Sequence, residues 1–371
     1  MLNIALKLLE KIEQAGFQAY LVGGFVRDYV LGKESHDIDI ATSAKPMDIK
    51  NIFKEACLPH EDYGSITVVV KNIRFEITTF RKESSYIDHR RPLEFEYITD
   101  LVEDLRRRDF TMNTLCMNKD GQILDYFGGL EDIKRKIIRA VGNGEERLKE
   151  DALRILRAVR FSTTLNFTLS DDVVLAINKT KKYLSLLSYH RKREELDKIF
   201  TSKHVKEGID LILSLGLDKE LELKGLDKVI ILDDLLGIWS CLEVEDKYPF
   251  TSNEKELLRK INLASQINNF DPLNLYHYGL YVNTVAAEKK GFDKKKVTKA
   301  YNNLPIYSKK DIKISAKEIM DIFNMKQGRY ISLVMNDLEE KILKNIIIND
   351  PDTLKEYIKN NKKLYLDKVL S

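Results

Sequence analysis

Asp37 and Asp39 are the residues of this chain best suited to chemistry, because they sit one residue apart in Asp37-Ile38-Asp39-Ile40. In a strand, alternation puts both carboxylates on one face and leaves Ile38 and Ile40 to anchor the other. Paired carboxylates are ligands for a hard divalent cation such as Mg2+. Shortly before them lies Gly23-Gly24-Phe25-Val26-Arg27-Asp28. Two glycines permit a tight turn and close approach of backbone N–H groups to an anion. Arg27 adds a planar cationic fork suited to phosphate oxygens. Carboxylates facing a phosphate-binding turn make a site for a divalent metal and a triphosphate.

The surrounding elements must hold these groups together. Residues 18–22 read as extended, and 25–31 as a short helix whose N-terminus points at the same spot. Pro46 suits a first helical turn, so 47–56 reads as a helix. Residues 65–71 and 73–80 are β-rich and joined at Lys71-Asn72, a hairpin candidate. In the second run Ile73, Phe75 and Ile77 alternate with Arg74, Glu76 and Thr78, so its polar face offers Glu76 as a third carboxylate. Residues 81–98 lack periodicity and read as a mobile loop. Arg106-Arg107-Arg108 then leads into two short strands around 115–117 and 123–124, across an Asp120-Gly121 turn. A basic cluster entering a sheet edge suits polyphosphate.

A second chemical stretch is Glu150-Asp151-Ala152-Leu153-Arg154, continued by Arg157 and Arg160. Asp151, Arg154, Arg157 and Arg160 recur every third residue, predicting a drifting stripe along one helix side. An ionised Asp only accepts hydrogen bonds and an Arg only donates them. Cytosine and adenine each place an amino donor beside a ring-nitrogen acceptor, whereas uracil and guanine present the reverse. An Asp–Arg pair at fixed spacing therefore accepts C and A and rejects U and G, with no nucleic-acid template.

Composition bounds the setting. A chain of 371 residues has room for two or three domains, and 43% hydrophobic with 32% charged residues predicts a globular protein. Three scattered cysteines fit a reducing compartment and argue against the usual structural zinc site. Residues 1–14 form an amphipathic helix rather than a signal peptide, and no stretch reaches transmembrane length, so the cytoplasm is the expected location. Net charge is only +3, but residues 288–371 hold 19 Lys and Arg against 12 Asp and Glu. That basic end, interleaved with Tyr301, Tyr307, Tyr330, Tyr357 and Tyr365, suits contact with an RNA backbone.

Five stretches in order carry a resemblance: Gly23-Gly24-Phe25-Val26-Arg27-Asp28 with Asp37-Ile38-Asp39; Arg107-Arg108-Asp109-Phe110-Thr111; Asp125-Tyr126-Phe127-Gly128-Gly129; Glu150-Asp151-Ala152-Leu153-Arg154; and, more weakly, Arg193-Glu194-Glu195-Leu196. Over residues 20–200 the chain resembles the class II tRNA nucleotidyltransferases, the CCA-adding enzymes related to bacterial poly(A) polymerases. Beyond 200 the likeness is looser. It implies an α+β fold: a nucleotidyltransferase head (1–138) with a small sheet, then a helical neck (139–200), body (201–300) and tail (301–371). The implied activity adds C, C and A to the 3′ end of tRNA from CTP and ATP, by two-metal phosphoryl transfer with release of pyrophosphate. By the same resemblance Asp37 and Asp39 bind the metals and Glu76 is the third carboxylate. Gly24, Arg27 and Arg108 hold the triphosphate, and Asp109 and Asn113 lie near the ribose. Asp151 and Arg154 read the base beside Arg157 and Arg160, and Asp88 and Arg91 belong to a loop that switches C to A addition.

Departures are small. Tyr126 stands where Leu is frequent, and Ser315-Ala316 where a Gly is usual, which bears on tail contacts rather than chemistry. The intact stretch 81–98 argues against a CC-only enzyme, and A-only addition stays open. Gly64-Ser65 departs from the basic-aromatic stretch of the poly(A) polymerase branch, and retention of Asp37, Asp39 and Glu76 argues against a non-catalytic RNA-binding protein. Oligomeric state has no signature in the sequence.

Overall fold

Ala5, Leu8, Leu9 and Ile12 recur at helical spacing and form the buried face of α1 (Leu2–Gln14). This helix packs on β1 (Ala19–Val22), the start of a mixed sheet. The structure, a computed structural model, describes residues 1–370 other than 36, 55, 56, 63, 84, 85, 88–90, 93 and 94; for 57–62, 86, 87, 91, 92 and 370 it describes the backbone alone. Within these residues the chain divides into two compact units, Met1–Asp227 with Asp246–Pro249, and Lys228–Glu245 with Phe250–Ser371.

In the first unit β1 is followed by α2 (Gly24–Val30), β2 (Ile38–Thr42), α3 (Pro46–Ile52), β3 (Cys57–Asp62), β4 (Ser65–Val70) and β5 (Ile73–Thr79). Both turn residues between β4 and β5, Lys71 (φ 50°) and Asn72 (φ 61°), are left-handed, the conformation a two-residue hairpin needs. α3 is shorter than the expected 47–56. Phe53 leaves helical geometry (φ −119°, ψ 37°) and buries its ring, and a strand, β3, follows soon after.

The stretch expected to be a loop is partly β-ribbon. β6 (Arg81–Glu83) pairs with β9 (Phe95–Tyr97), and within them β7 (Tyr86–Ile87) pairs with β8 (Arg91–Pro92). The partners across β6 and β9 are polar or aromatic: Lys82 faces Glu96, and the Arg81 guanidinium lies 5.7 Å from the Phe95 ring centre. Such pairs stabilise strands without the apolar alternation that betrays a half-buried one. The ribbon is rooted on α4 (Leu101–Arg106), where buried Asp104 accepts the Arg81 backbone N–H at 3.1 Å.

β10 (Cys116–Met117) and β11 (Ile123–Leu124) complete a seven-stranded sheet in the order β11-β10-β1-β2-β5-β4-β3. α5 (Gly129–Arg135), β12 (Ile137–Ile138), α6 (Gly144–Glu150), α7 (Leu153–Leu165), β13 (Thr168–Leu169), α8 (Asp171–Thr180) and α9 (Tyr189–Phe200) follow. β13 interrupts the expected all-helical run by pairing in parallel with β12. Ile38 and Ile40, Phe75 and Ile77 are all buried on the sheet face opposite the acidic residues.

The second unit is helical around Ile319, Phe323, Val334, Leu338, Leu354 and Ile358. Two tyrosines expected to meet RNA belong to this core instead. Tyr330 donates to the carbonyls of Met325 and Lys326, and Tyr365 donates to Asp337 Oδ2 at 2.6 Å. Their hydroxyls find internal acceptors, so the rings can be buried at 2% and 1% exposure. Tyr307 is exposed.

Candidate active site

Sheet register gathers the carboxylates. Asp39 on β2 lies opposite Val22 on β1 and is aligned with Glu76 on parallel β5. Gly23 follows Val22 at φ +71°, and a Cβ there would lie 3.1 Å from Arg108 Nη1 and 3.6 Å from Asp39 Oδ2. A side chain would therefore intrude between a cation and a carboxylate, in a backbone conformation that favours glycine. Asp37 and Asp39 line a cavity of about 550 Å³. Glu76 lies in an adjoining cavity of about 250 Å³ that shares Asp39, Arg107 and Arg108 with the first. Among the described residues no three His, Cys, Asp or Glu side chains close around a common metal position.

Burial, the neighbouring Glu76 and, more weakly, Asp37 push the Asp39 carboxyl up to about 6, against the opposing pull of Arg108. Crowded carboxylates of this kind suit a divalent cation, which would relieve their repulsion. The same crowding sets a linkage. A carboxyl raised in the folded state destabilises the fold above pH 6, and the effect fades as pH falls from about 6 towards its ordinary value of 3.8. Asp39→Asn is therefore expected to be more stable than the unsubstituted chain at pH 7.5 in EDTA, by about 1 kcal/mol after solvent screening, and no more stable near pH 4. Urea unfolding at the two pH values measures this; equal stability at pH 7.5 would mean the carboxylates are not crowded.

Seven arginines and five aspartates line the larger cavity, which leaves it cationic and fit for a polyanion. Arg27 on α2 is buried; its Nη1 donates to Asn113 Oδ1 at 2.8 Å and its Nε to Asp28 at 2.9 Å. Asn113 Nδ2 in turn donates to Asp109 Oδ1 at 2.9 Å, and Arg157 Nε donates to Asp109 Oδ2 at 2.7 Å. Burial works to raise the Asp109 carboxyl, but Arg157, the Asn113 hydrogen bond and Arg154 outweigh it and hold the value at about 2. Asp109 and Asn113, expected near a ribose, thus also clamp Arg27 to Arg157. The arginine triplet splits its tasks. Arg106 is exposed against Glu103, and Arg107 is tied to Asp104 and Glu83. Arg108 reaches both cavities, its Nε buried with no hydrogen-bond partner among the described residues.

Asp151 is not part of the helical stripe the spacing predicted. It ends α6 in extended geometry (φ −137°, ψ 106°), and its Oδ1 accepts the Leu153 N–H at 3.0 Å where α7 begins. A short carboxylate satisfies an orphan N–H at a helix start better than it serves a helix interior. Its Oδ2 is paired with Arg191 Nη2 at 3.1 Å. Arg154, on α7, is held at three points: Glu150 Oε2 at 2.7 Å and the carbonyls of Arg147 and Arg107 at 2.9 and 2.8 Å. Arg160 Nε donates to Glu195 on α9 at 2.5 Å. Gly24, Arg154, Arg157, Arg160 and Asp151 all line the same cavity as Asp37 and Asp39. Asp88 lies outside the described residues, and of Arg91 only the backbone is described, in β8.

Arg191 and Phe161 also line this cavity and had not been singled out. Arg191 precedes Glu195 by four residues on α9, so it shares a helix face with the partner of Arg160. That spacing was the available signal. For Phe161 there was none beyond its place after Arg160.

Residues 19–139 match the family described as "Poly A polymerase head domain", 166–224 "Probable RNA and SrmB- binding site of polymerase A", and 253–358 "tRNA nucleotidyltransferase domain 2 putative". The chain is 38% identical to the CCA-adding enzyme of Ligilactobacillus salivarius, covering 98% of this chain and 97% of that one. It is 35% identical to the CCA-adding enzyme of Lactococcus lactis subsp. cremoris, covering 97% and 96%. Its fold is similar to the crystal structure of the Bacillus stearothermophilus CCA-adding enzyme in complex with CTP, with a TM-score of 0.83 at 27% identity over 98% of each chain.

Proposed function

This chain belongs to the CCA-adding enzymes, and from that premise we propose that it adds C, C and A in turn to the 3′ end of tRNA, in the cytoplasm, using CTP and ATP. The observation that carries the proposal is a single cationic cavity of about 550 Å³ lined by both the Asp37–Asp39 pair and the Asp151–Arg154 pair. One pair suits phosphoryl chemistry and the other suits base choice. Between them the arginines can hold a triphosphate.

The 3′-hydroxyl of the tRNA attacks the α-phosphorus of the nucleotide, a new phosphodiester forms, and pyrophosphate leaves. Asp37 and Asp39, with Glu76 beside Asp39, would hold Mg2+, which supplies Lewis-acid activation of the hydroxyl and charge neutralisation of the leaving group. Arg27 and Arg108 contact the triphosphate, with Gly24 leaving room at the turn. Arg157 and Arg160 face the nucleotide, and Asp109 and Asn113 fix the arginines and meet the ribose. Asp151, oriented by its pair with Arg191, accepts from the base amino group, while Arg154 donates to the ring nitrogen. We read the chain as head (1–138), neck (139–200), body (201–300) and tail (301–371), with the basic tail contacting tRNA. The first compact unit contains the whole of the head and neck, in keeping with a site shared by them.

The test uses a tRNA lacking its last three nucleotides, given CTP alone, ATP alone, or both. Extension by two, none and three nucleotides is expected. Lengthening by one A only on a tRNA already ending in CC would favour an A-only enzyme and overturn the full reaction.

The loop role has its own expected outcome. The Asp88→Ala/Arg91→Ala double variant should add both cytidines near the normal rate and lose about tenfold or more in the final A, the size of one misplaced catalytic contact. Gel analysis of products ending in C, CC and CCA measures this. Complete CCA ends formed at the normal rate would remove the loop from the switch.

A further inference from the structure

We propose that Phe161 is a positioning residue for the nucleotide's triphosphate, its aromatic ring holding three arginines of the cavity in place. The inference rests on the reading of this cavity as the nucleotide site. Phe161 lies on α7 and is 4% exposed. The guanidinium carbons of Arg160, Arg27 and Arg157 lie 3.9, 5.0 and 5.2 Å from its ring centre. All three fall within the reach of a cation–π interaction. The ring is itself fixed edge-on against Phe110, with centres 5.9 Å apart and planes at 86°.

Why a ring should stand there follows from charge. Arg27, Arg157 and Arg160 already have acidic partners in Asp28, Asp109 and Glu195. A further carboxylate would neutralise the cluster and repel phosphate. An aromatic face attracts guanidinium through its quadrupole and carries no net charge, so the cations are gathered yet still draw a polyanion. The ring also joins elements far apart in sequence, since Arg27 comes from α2 and the other two from α7. Arginines ordered before the nucleotide arrives lose less freedom on binding it.

The test replaces Phe161 with phenylalanines bearing one, two and three ring fluorines, introduced by stop-codon suppression. Shape and apolar character are nearly kept while the quadrupole weakens step by step. The dissociation constants of CTP and ATP should rise together in steps, reaching about tenfold at three fluorines. KM should follow, while kcat changes much less, and Phe161→Leu should lie at or beyond the end of the series. Affinity that stays flat across the fluorinated series would make the ring packing alone and overturn the proposal. Failure of the unsubstituted chain to extend tRNA would overturn the enzymatic reading instead, and stepwise loss of CTP affinity in that case would still uphold the role of the ring.

Discussion

Asp39→Ala and Asp37→Ala each abolish nucleotide addition, lowering its rate on the order of a thousandfold or more, while tRNA binding stays near that of the unsubstituted chain. The two carboxylates line one cavity, and Asp39 is aligned with Glu76 on the neighbouring strand. Each alanine removes one of the carboxylates proposed to hold Mg2+ and leaves that set incomplete. It does not unfold the sheet, because Ile38 and Ile40 on the other face supply the packing. Asp39→Ala also removes a carboxyl that the fold holds unfavourably, so stability should not fall with activity. Single-turnover extension of a tRNA lacking CCA, alongside a filter-binding measurement of tRNA affinity, checks both halves. Activity within tenfold of normal in either variant would remove that residue from the metal site.

Asp151→Ala shifts nucleotide choice. Incorporation of UTP and GTP should rise relative to CTP and ATP by about ten- to a hundredfold, the value of one lost bidentate discrimination. Absolute rates fall, because a base that is not held leaves its α-phosphate poorly placed. Arg154→Ala should relax choice by a similar factor and also lower stability. Arg154 donates to Glu150 and to two backbone carbonyls, so its removal strands three part-buried acceptors. The two substitutions are therefore separable: Asp151→Ala gives up the Leu153 N–H acceptor and the Arg191 pair, whereas Arg154→Ala breaks the contacts that tie α7 to Arg107 and Arg147. Single-turnover rates for all four nucleotides measure the shift. Unchanged preference in Asp151→Ala would mean the aspartate serves only as the cap of α7 and the partner of Arg191.

How much of this could be read beforehand depended on the range of the interaction. Asp37, Asp39 and Glu76 were legible because strand alternation is local, and Ile38, Ile40, Phe75 and Ile77 mark the buried face directly. The Lys71-Asn72 turn was legible for the same reason. The 81–97 ribbon was not, because Lys82 meets Glu96 across most of its length and neither is apolar. Spacing put Asp151 on a helix; geometry made it a cap, since a three-residue repeat does not say where a helix begins. Arg191 reaches the site only because α9 packs beside α7. Tyr330 and Tyr365 look like a basic aromatic surface in sequence, yet hydroxyl acceptors at Met325, Lys326 and Asp337 let them be buried. The division between compact units after Asp227 carries no compositional mark. Residues 246–249 return to the first unit, where Tyr248 buries its ring and donates to the Leu221 carbonyl at 2.8 Å.

The most direct measurement of the account is the sequence of the 3′ ends made from a tRNA lacking CCA when all four nucleotides are present at equal concentration. With base choice made by the protein, the ends should be CCA in nearly every molecule, and growth should stop there. Ends of mixed sequence would contradict the base-reading assignment of Asp151 and Arg154. Long runs of A would contradict CCA addition itself and place the chain's activity with the poly(A) polymerases.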